Sequence, residues 1–331
     1  MNLARLIRGL PPPLRRHKLI RALLWVSPGS AVQEVSFNGG ARLFADVSDP
    51  FPRAYLLSGV FEPEFFAIAA PFLRRGGVFL DVGANVGFCT FGLLHALAGG
   101  PPLDYHLFEA NARLCALLRR SAALHPDARI AVVHRCVTNV AGTSCLRVLD
   151  RQLGASYIAD DGTEAVRNVV LDDYLDAHGI ERVAFMKMDI EGLEPLALQG
   201  AARSLRSGRI EAVYVELSAP TLARQGFTPA ETLAVLRDAG YEVFFVKEGD
   251  LPAGAPTAHE HFALEVNAAT IRARRVDLFP PGHQTDVLAV HRSTSIRHQP
   301  VAETTPRTAR TRSTNTEGPS ARKGAGFLRG L

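Results

Sequence analysis

The sequence predicts an α/β fold: a doubly wound sheet of seven strands, mostly parallel, with helices on both faces. Three observations predict it. Strand-like runs alternate with stretches of helical periodicity along most of the chain. One apolar run, "VFLDVGANVGFC" from Val78 to Cys89, ends in an aspartate and then two spaced glycines, as a strand does when it turns sharply into a helix. A later stretch carries complete helix punctuation, with Thr228 as N-cap, Pro229 at the first position and Gly240 past the end.

In order, Val78–Val82 reads as the first strand and Phe88–Leu97 as its helix. Tyr105–Phe108 is a strand, and "NARLCALLRRSAAL" is a helix with apolar residues at helical spacing. Ile130–Val133 is a strand. "GTSCLRVL" and "VRNVVLDDYLDAHG" read as an inserted hairpin and a short helix. Ala184–Met188 is a buried strand, followed by the helix "EPLALQGAARSL". Ile210–Glu216, Tyr241–Val246 and Asp286–Val290 complete the seven, with the helix from Thr228 to Ala239 between them. In such sheets ligands sit at the carboxyl ends of the strands.

Composition bounds the function. Hydrophobic residues make up 47% of the 331 and charged residues 21%, which places the chain among ordinary globular proteins with a sizeable core. No apolar run reaches the ~20 residues of a membrane span, and no secretion signal is legible. The four cysteines form no C-x-x-C pair; reduced thiols in a cytoplasmic protein are expected. The net charge of +4 hides an asymmetry. Residues 1–33 hold six Lys/Arg and no acid, and residues 291–331 hold eight against two acids. That leaves 23 basic and 31 acidic residues for 34–290, a net of −8. An acidic body argues against a nucleic-acid partner.

Three segments are therefore expected: a basic N-terminal segment (1–33), a folded domain (34–290, core about 56–290) and a disordered basic tail (291–331). The tail is rich in Ser, Thr and Arg and cannot bury enough apolar surface to order itself. "RRHKLIRALLWV" in the head reads as a short basic amphipathic helix packed on the domain. The basic ends leave room for weak contact with a membrane surface.

Four strand ends carry the chemistry. At the first, Gly83 and Gly87 let backbone approach a ligand, but the order G-A-N-V-G lacks the central glycine of a dinucleotide fingerprint. Asp81 would repel a pyrophosphate and suits a cationic amino group. At the second, Glu109 can accept hydrogen bonds from a ribose diol. At the third, "FMKMDIEGLEP", Lys187, Asp189, Glu191 and Glu194 crowd one junction; such carboxylates are costly unless they bind something. Glu194 reads as a helix first-turn charge. At the fourth, Glu216 closes an apolar strand at the same edge.

Together these ends resemble the FkbM family of S-adenosylmethionine-dependent methyltransferases. "FLDVGANVGFCT" is similar to its glycine motif and "FEAN" to its ribose-binding acid. "VVLDDYL", then "KMDIEGLEPLALQGA", then "VYVEL" resembles its hallmark run. The resemblance spans about Leu56 to Val290. It implies a Rossmann-like methyltransferase sheet, and an Asp81–Gly87 turn (Gly83, Ala84 and Asn85 within it) around the methionine end of the donor. It implies Asp81 near the donor ammonium, Glu109 on the ribose, Ala110 next to it in the cofactor site, and Val137 and Thr138 beside the adenine. Asp189 would lie near the sulfonium and the acceptor. Two positions depart: the usual proline after the ribose acid is Ala110, and Leu217–Ser218 stand where the family often has a histidine.

Methyl transfer to a hydroxyl needs alignment and a proton acceptor. Asp189, Glu191 and Glu216 are the candidates, with His259, His261 and His283 as further ones. No metal is expected. Strand four lacks the N-P-P-Y type turn of amine methyltransferases, which favours O-methylation of a sugar, glycolipid or polyketide-like acceptor. An NAD-dependent oxidoreductase and a non-catalytic binding protein on the same fold remain the alternatives.

Overall fold

The computed structural model describes residues 31–246, 261–267, 269–276, 279, 282–295 and 297–301. The readings of the basic head, of residues 302–331 and of His259 lie outside the described residues. Among the described residues, no single helix is long and apolar enough to cross a membrane.

The described chain begins with a hairpin, β1 (Val32–Phe37) and β2 (Ala41–Asp46). Asn38 and Gly39 turn it at φ of 44° and 82°, a conformation that Asn-Gly supplies cheaply. Two apolar helices follow, α1 (Pro50–Ser58) and α2 (Pro63–Leu73). Asp49 caps α1, accepting from the Phe51 N–H at 2.9 Å.

The alternating core starts with β3 (Gly77–Val82), α3 (Phe88–Ala96), β4 (Leu103–Glu109), α4 (Ala112–Ala122) and β5 (Arg129–His134). Asn111 caps α4, accepting from the backbone of Arg113 and Leu114. An insertion then forms a separate small sheet from β6 (Cys136–Val137), β7 (Thr143–Arg147), β8 (Tyr157–Ile158) and β9 (Glu164–Val169). Next come α5 (Leu171–Ala177), β10 (Val183–Met188), α6 (Glu194–Gln199) and α7 (Ala202–Arg206). The expected single helix breaks at Gly200, where a Cβ would lie 2.4 Å from the Thr138 carbonyl oxygen. The chain continues through β11 (Ala212–Ser218), α8 (Ala219–Arg224) and α9 (Pro229–Asp238). Thr228 and Glu231 form a reciprocal capping box at the start of α9. The last strands are β12 (Tyr241–Phe245), β13 (His261–Val266), β14 (Ala269–Arg275), β15 (Gln284–His291) and β16 (Arg297–Val301).

The main sheet has ten strands in the order β16-β13-β14-β12-β15-β11-β10-β3-β4-β5. All seven segments read as strands from the sequence are in it. The expected seven-stranded, mostly parallel sheet is corrected to a mixed one. Only β5, β4, β3, β10 and β11 pair in parallel. β15 runs antiparallel between β11 and β12, and β14, β13 and β16 add antiparallel strands beyond β12. The added β13–β14 hairpin is held by alternation: Leu264, Val266, Ile271 and Ala273 are buried. β16 carries strand structure ten residues past the boundary placed at 291.

Adjacent side chains along each central strand enter opposite cores. Phe79, Phe185, Tyr214 and Leu288 join one buried cluster; Leu80, Met186, Val213 and Val287 join the other. The first cluster takes in α2 and α3, the second α6, α7 and α9. Both sheet faces are therefore dry, and polar groups gather at the strand ends.

Candidate active site

Two cavities open at the carboxyl ends of β3, β4, β10 and β11. The first, of about 560 Å³, is lined by Gly83, Asn85, Glu109, Ala110, Val137, Asp189 and Glu191, and roofed by Gly154, Ser156, Tyr157 and Ile158 of the insertion. The second, of about 690 Å³, has a wall of Phe51, Phe61, Phe65 and Phe88 and a polar side of Glu62, Lys187, Asp189, Tyr214, Glu216 and Asp286. Asn85 and Asp189 line both cavities.

The glycine turn is built by packing. Gly83 has φ of 80°, and a Cβ there would lie 1.8 Å from the Asp189 carbonyl oxygen. Gly87 has φ of 93° and would meet the Phe91 ring at 2.5 Å. Thus the two glycines let β3 approach β10 and α3; Gly83 also lines the first cavity, and Gly87 lines neither. The turn's N–H groups are already used. Gly83 and Ala84 both donate to the Phe108 carbonyl at 3.0 Å, Gly87 donates to Ala84 at 2.8 Å, and Asn85 donates to Glu109 Oε2 at 2.8 Å. Phosphate cradles need such donors free.

Glu109 is held from two sides, because Asn111 also donates to its Oε1 at 2.8 Å. Burial pushes its carboxyl up to about 7, against the pull of these N–H groups. Asp81 is completely buried and lines neither cavity. Its Oδ2 accepts from Thr90 Oγ1 at 2.6 Å, and its Oδ1 lies 3.9 Å from Lys187 Nζ. Asp81 thus turns into the protein, where it faces Lys187.

Lys187 is the residue that sequence reasoning noted without a role. Its Nζ donates to the Gly83 carbonyl at 2.8 Å and lies 3.4 Å from Asp189 Oδ2. Burial works against its charge, but Asp189 and Asp81 outweigh that and hold it protonated. One ammonium thus ties the glycine turn to the β10 end. A lysine inside an apolar strand was the sequence signal for it.

Glu191 sits at φ of 58°, a left-handed conformation costly for a side-chain-bearing residue. Glu194 braces that turn, its Oε1 accepting from the N–H groups of Ile190 at 2.9 Å and Gly192 at 3.3 Å. Glu194 is only 3% exposed, so it is a buried staple as well as a first-turn charge. Burial pushes both carboxyls up to about 7. A raised carboxyl pKa removes stability as pH climbs from the unfolded value through the folded one. Wild-type protein should therefore lose stability between pH 5 and 8. Glu194→Gln, which has no proton to lose, should lose about 2 kcal/mol less over that interval. Urea melts at both pH values check this; parallel curves for the two proteins would count against it.

Glu216 accepts from Gln284 Nε2 at 2.8 Å. Burial, then the charges of Asp189 and Asp286, push its carboxyl up to about 9. Of the remaining expected residues, Ala84 lines the second cavity and Val137 the first. Thr138 lines neither: it is buried, and its carbonyl packs on Gly200. His283 also lines neither, and the side chain of His261 lies outside the described residues. The second cavity's wall went unread. Its phenylalanines come from α1, α2 and α3 and its acids from distant strands, and no local spacing joins them.

The model of the methyltransferase FkbM domain matches residues 81–243. Residues 81–243 belong to the FkbM methyltransferase family. The matched stretch opens at Asp81, at the end of β3, and closes within β12. It holds the first cavity's lining but not Phe51, Phe61, Glu62, Phe65 or Asp286 of the second. The chain is also similar to solved structures. One is the methyltransferase FkbM from Methylobacillus flagellatus KT, at 18% identity and a TM-score of 0.38. The alignment covers 67% of this chain and 52% of that one, so the chain spans about half the length of that structure. Another is TYW2 of M. jannaschii in complex with AdoMet, at 9% identity and a TM-score of 0.36, covering 79% and 86%. A third is a precorrin-6y C5,15-methyltransferase from Geobacter metallireducens GS-15, at 12% identity and a TM-score of 0.33, covering 68% and 86%. No curated protein matches the chain.

Proposed function

We propose that this FkbM domain is an S-adenosylmethionine-dependent O-methyltransferase whose acceptor is a hydroxyl on a sugar, glycolipid or polyketide-like molecule. One observation carries the reading: two adjoining cavities share Asn85 and Asp189 as their common wall. A donor on one side and an acceptor on the other would meet there.

The first cavity fits the donor. Glu109 presents a carboxylate at a strand end, already oriented by two N–H groups, to take ribose hydroxyls. Gly83 and Asn85 would border the methionine end, and Ala110 and Val137 the adenine. Asp189 and Glu191 bring negative charge to the junction, which suits a cation. S-adenosylmethionine, when bound, supplies an electrophilic methyl group on a sulfonium. The chain's own task is then to orient the acceptor and remove its proton. The Asp189–Glu216 pair stands at the junction and can take that proton, with Lys187 fixing the Asp189 carboxylate. Glu191 borders the first cavity only and acts as a charge there.

The dinucleotide alternative loses support on two counts. The first cavity sets three carboxylates, Glu109, Asp189 and Glu191, against Arg135. The turn's N–H groups are also committed within the protein. The acidic body speaks against a nucleic-acid partner.

Calorimetry with S-adenosylhomocysteine and with NAD tests the reading. Binding of the first alone is expected; binding of NAD alone would overturn it. Because Glu109 ionises near 7, S-adenosylhomocysteine should bind about tenfold more tightly at pH 8.5 than at pH 5.5. Glu109→Gln should weaken binding by about tenfold at the higher pH and flatten that dependence. An unchanged pH slope in the variant would remove Glu109 from the donor site.

A further inference from the structure

The second cavity has a chemistry of its own. On the polar side, Glu216 and Asp286 stand directly opposite each other across the antiparallel pair β11–β15. Like charges in that relation are destabilising, which is part of why the Glu216 carboxyl holds its proton up to about 9; both side chains line the cavity. Glu62 and Asp189 add two more carboxylates, and Lys187 is the single cation in the lining. Tyr214 lies two residues before Glu216 on β11 and also borders the cavity. It is 3% exposed, and its hydroxyl makes no hydrogen bond of normal geometry. Burial, followed by the charges of Asp286 and Glu62, keeps its proton on.

On the other side stand aromatic rings. Phe61 and Phe88 stack at 4.8 Å, Phe51 meets Phe88 edge-on at 6.1 Å, and Phe65 meets Tyr214 edge-on at 5.3 Å. Phe51 is 40% exposed and forms the mouth. An aromatic face and a row of carboxylates have one preferred guest in common. Both attract an ammonium group, the ring through its quadrupole and the acids through charge. The described carboxylates, histidines and cysteines do not converge in threes as a metal cage. Negative charge spread along a wall suits an organic cation better than a small ion.

We propose that the acceptor carries a protonated amine close to the hydroxyl that is methylated, as an amino alcohol or amino sugar does. This inference rests on the methyltransferase reading of the site. The ammonium would lie between Glu216 and Asp286, its carbon skeleton against the phenylalanines, with the Tyr214 hydroxyl as a further polar contact. The hydroxyl would then reach the Asn85–Asp189 junction.

The experiment uses the full chain saturated with S-adenosylhomocysteine and two fragment probes of equal shape, phenethylamine and phenethyl alcohol. The amine should bind about tenfold more tightly than the alcohol. Asp286→Asn should remove most of that preference and leave S-adenosylhomocysteine affinity unchanged, which also shows that the variant is folded. Equal binding of the two probes, tighter binding of the alcohol, or binding of neither would overturn the inference while the methyltransferase reading stands. Failure of S-adenosylhomocysteine itself to bind would fell the reading and the inference together. In a labelled-methyl assay of an amino alcohol, label on nitrogen instead of oxygen would overturn the placement of the amine as a recognition group.

Discussion

Asp189→Asn should lower the methyl-transfer rate by about 10²–10⁴-fold, the range that a positioned proton acceptor contributes. Asn keeps the shape of the side chain and removes its charge. Three features of this structure depend on that charge. Lys187 Nζ lies 3.4 Å from Asp189 Oδ2, the Asp189 charge helps raise the Glu216 carboxyl, and both cavities end on Asp189. The measurement is single-turnover transfer of labelled methyl to whichever acceptor a screen of amino alcohols, sugars and lipids identifies. Donor affinity should change far less than the rate, because Glu109 and the insertion form the rest of the first cavity. A rate within about tenfold of wild type would place the proton acceptor elsewhere. Glu216→Gln separates the two members of the pair. If Asp189 takes the proton and Glu216 tunes it, the Glu216 variant should retain more activity and shift the pH profile.

The two cavities differ in how well the sequence exposed them. The first is assembled from strand ends lying close to glycine turns. Glu109, Asp189 and Glu191 are each visible as acids that interrupt apolar runs. Such an acid needs a partner or a ligand, and the structure brings all three to the lining of one cavity. Asp81 has an internal partner as well, since a buried aspartate can be satisfied by an internal lysine as readily as by a ligand. Lys187 is opposite Asp81 in register on the neighbouring strand, and only pairing of β3 with β10 shows it.

The second cavity was illegible for a different reason. Phe51, Tyr214 and Asp286 come together only because α1 packs near the end of β11 and β15 turns back beside it. These positions are more than 60 residues apart in the chain. The β1–β2 hairpin was in principle readable, since an Asn-Gly-Gly turn separates two alternating runs. The β13–β14 hairpin also carried period-two burial in its sequence, Leu264 and Val266 then Ile271 and Ala273. Counting only runs that fit a βα alternation concealed both, and made a ten-stranded mixed sheet look like a seven-stranded one.

Gly83→Ala should be the most damaging small substitution in the chain, costing about 3–4 kcal/mol of stability and abolishing measurable S-adenosylhomocysteine binding. Two effects add. The left-handed backbone at φ of 80° costs any side-chain-bearing residue about 1–2 kcal/mol. The new methyl would then lie 1.8 Å from the carbonyl oxygen of Asp189 and 3.0 Å from Ile190 Cγ2. A backbone carbonyl at a strand end cannot swing away as a flexible side chain does, so β3 and β10 must part. Gly99 supplies the control: it has the same φ of 80°, but nothing lies within 4 Å of its Cβ position. Gly99→Ala should cost only the backbone term, about 1 kcal/mol, with donor binding intact. Urea unfolding and calorimetry on the two variants separate strain from contact. Equal losses would mean that the approach of Gly83 to Asp189 carries no energy of its own. A larger loss at Gly83 would show that the contact which makes this glycine obligatory is also what holds Asp189 at the meeting point of the two cavities.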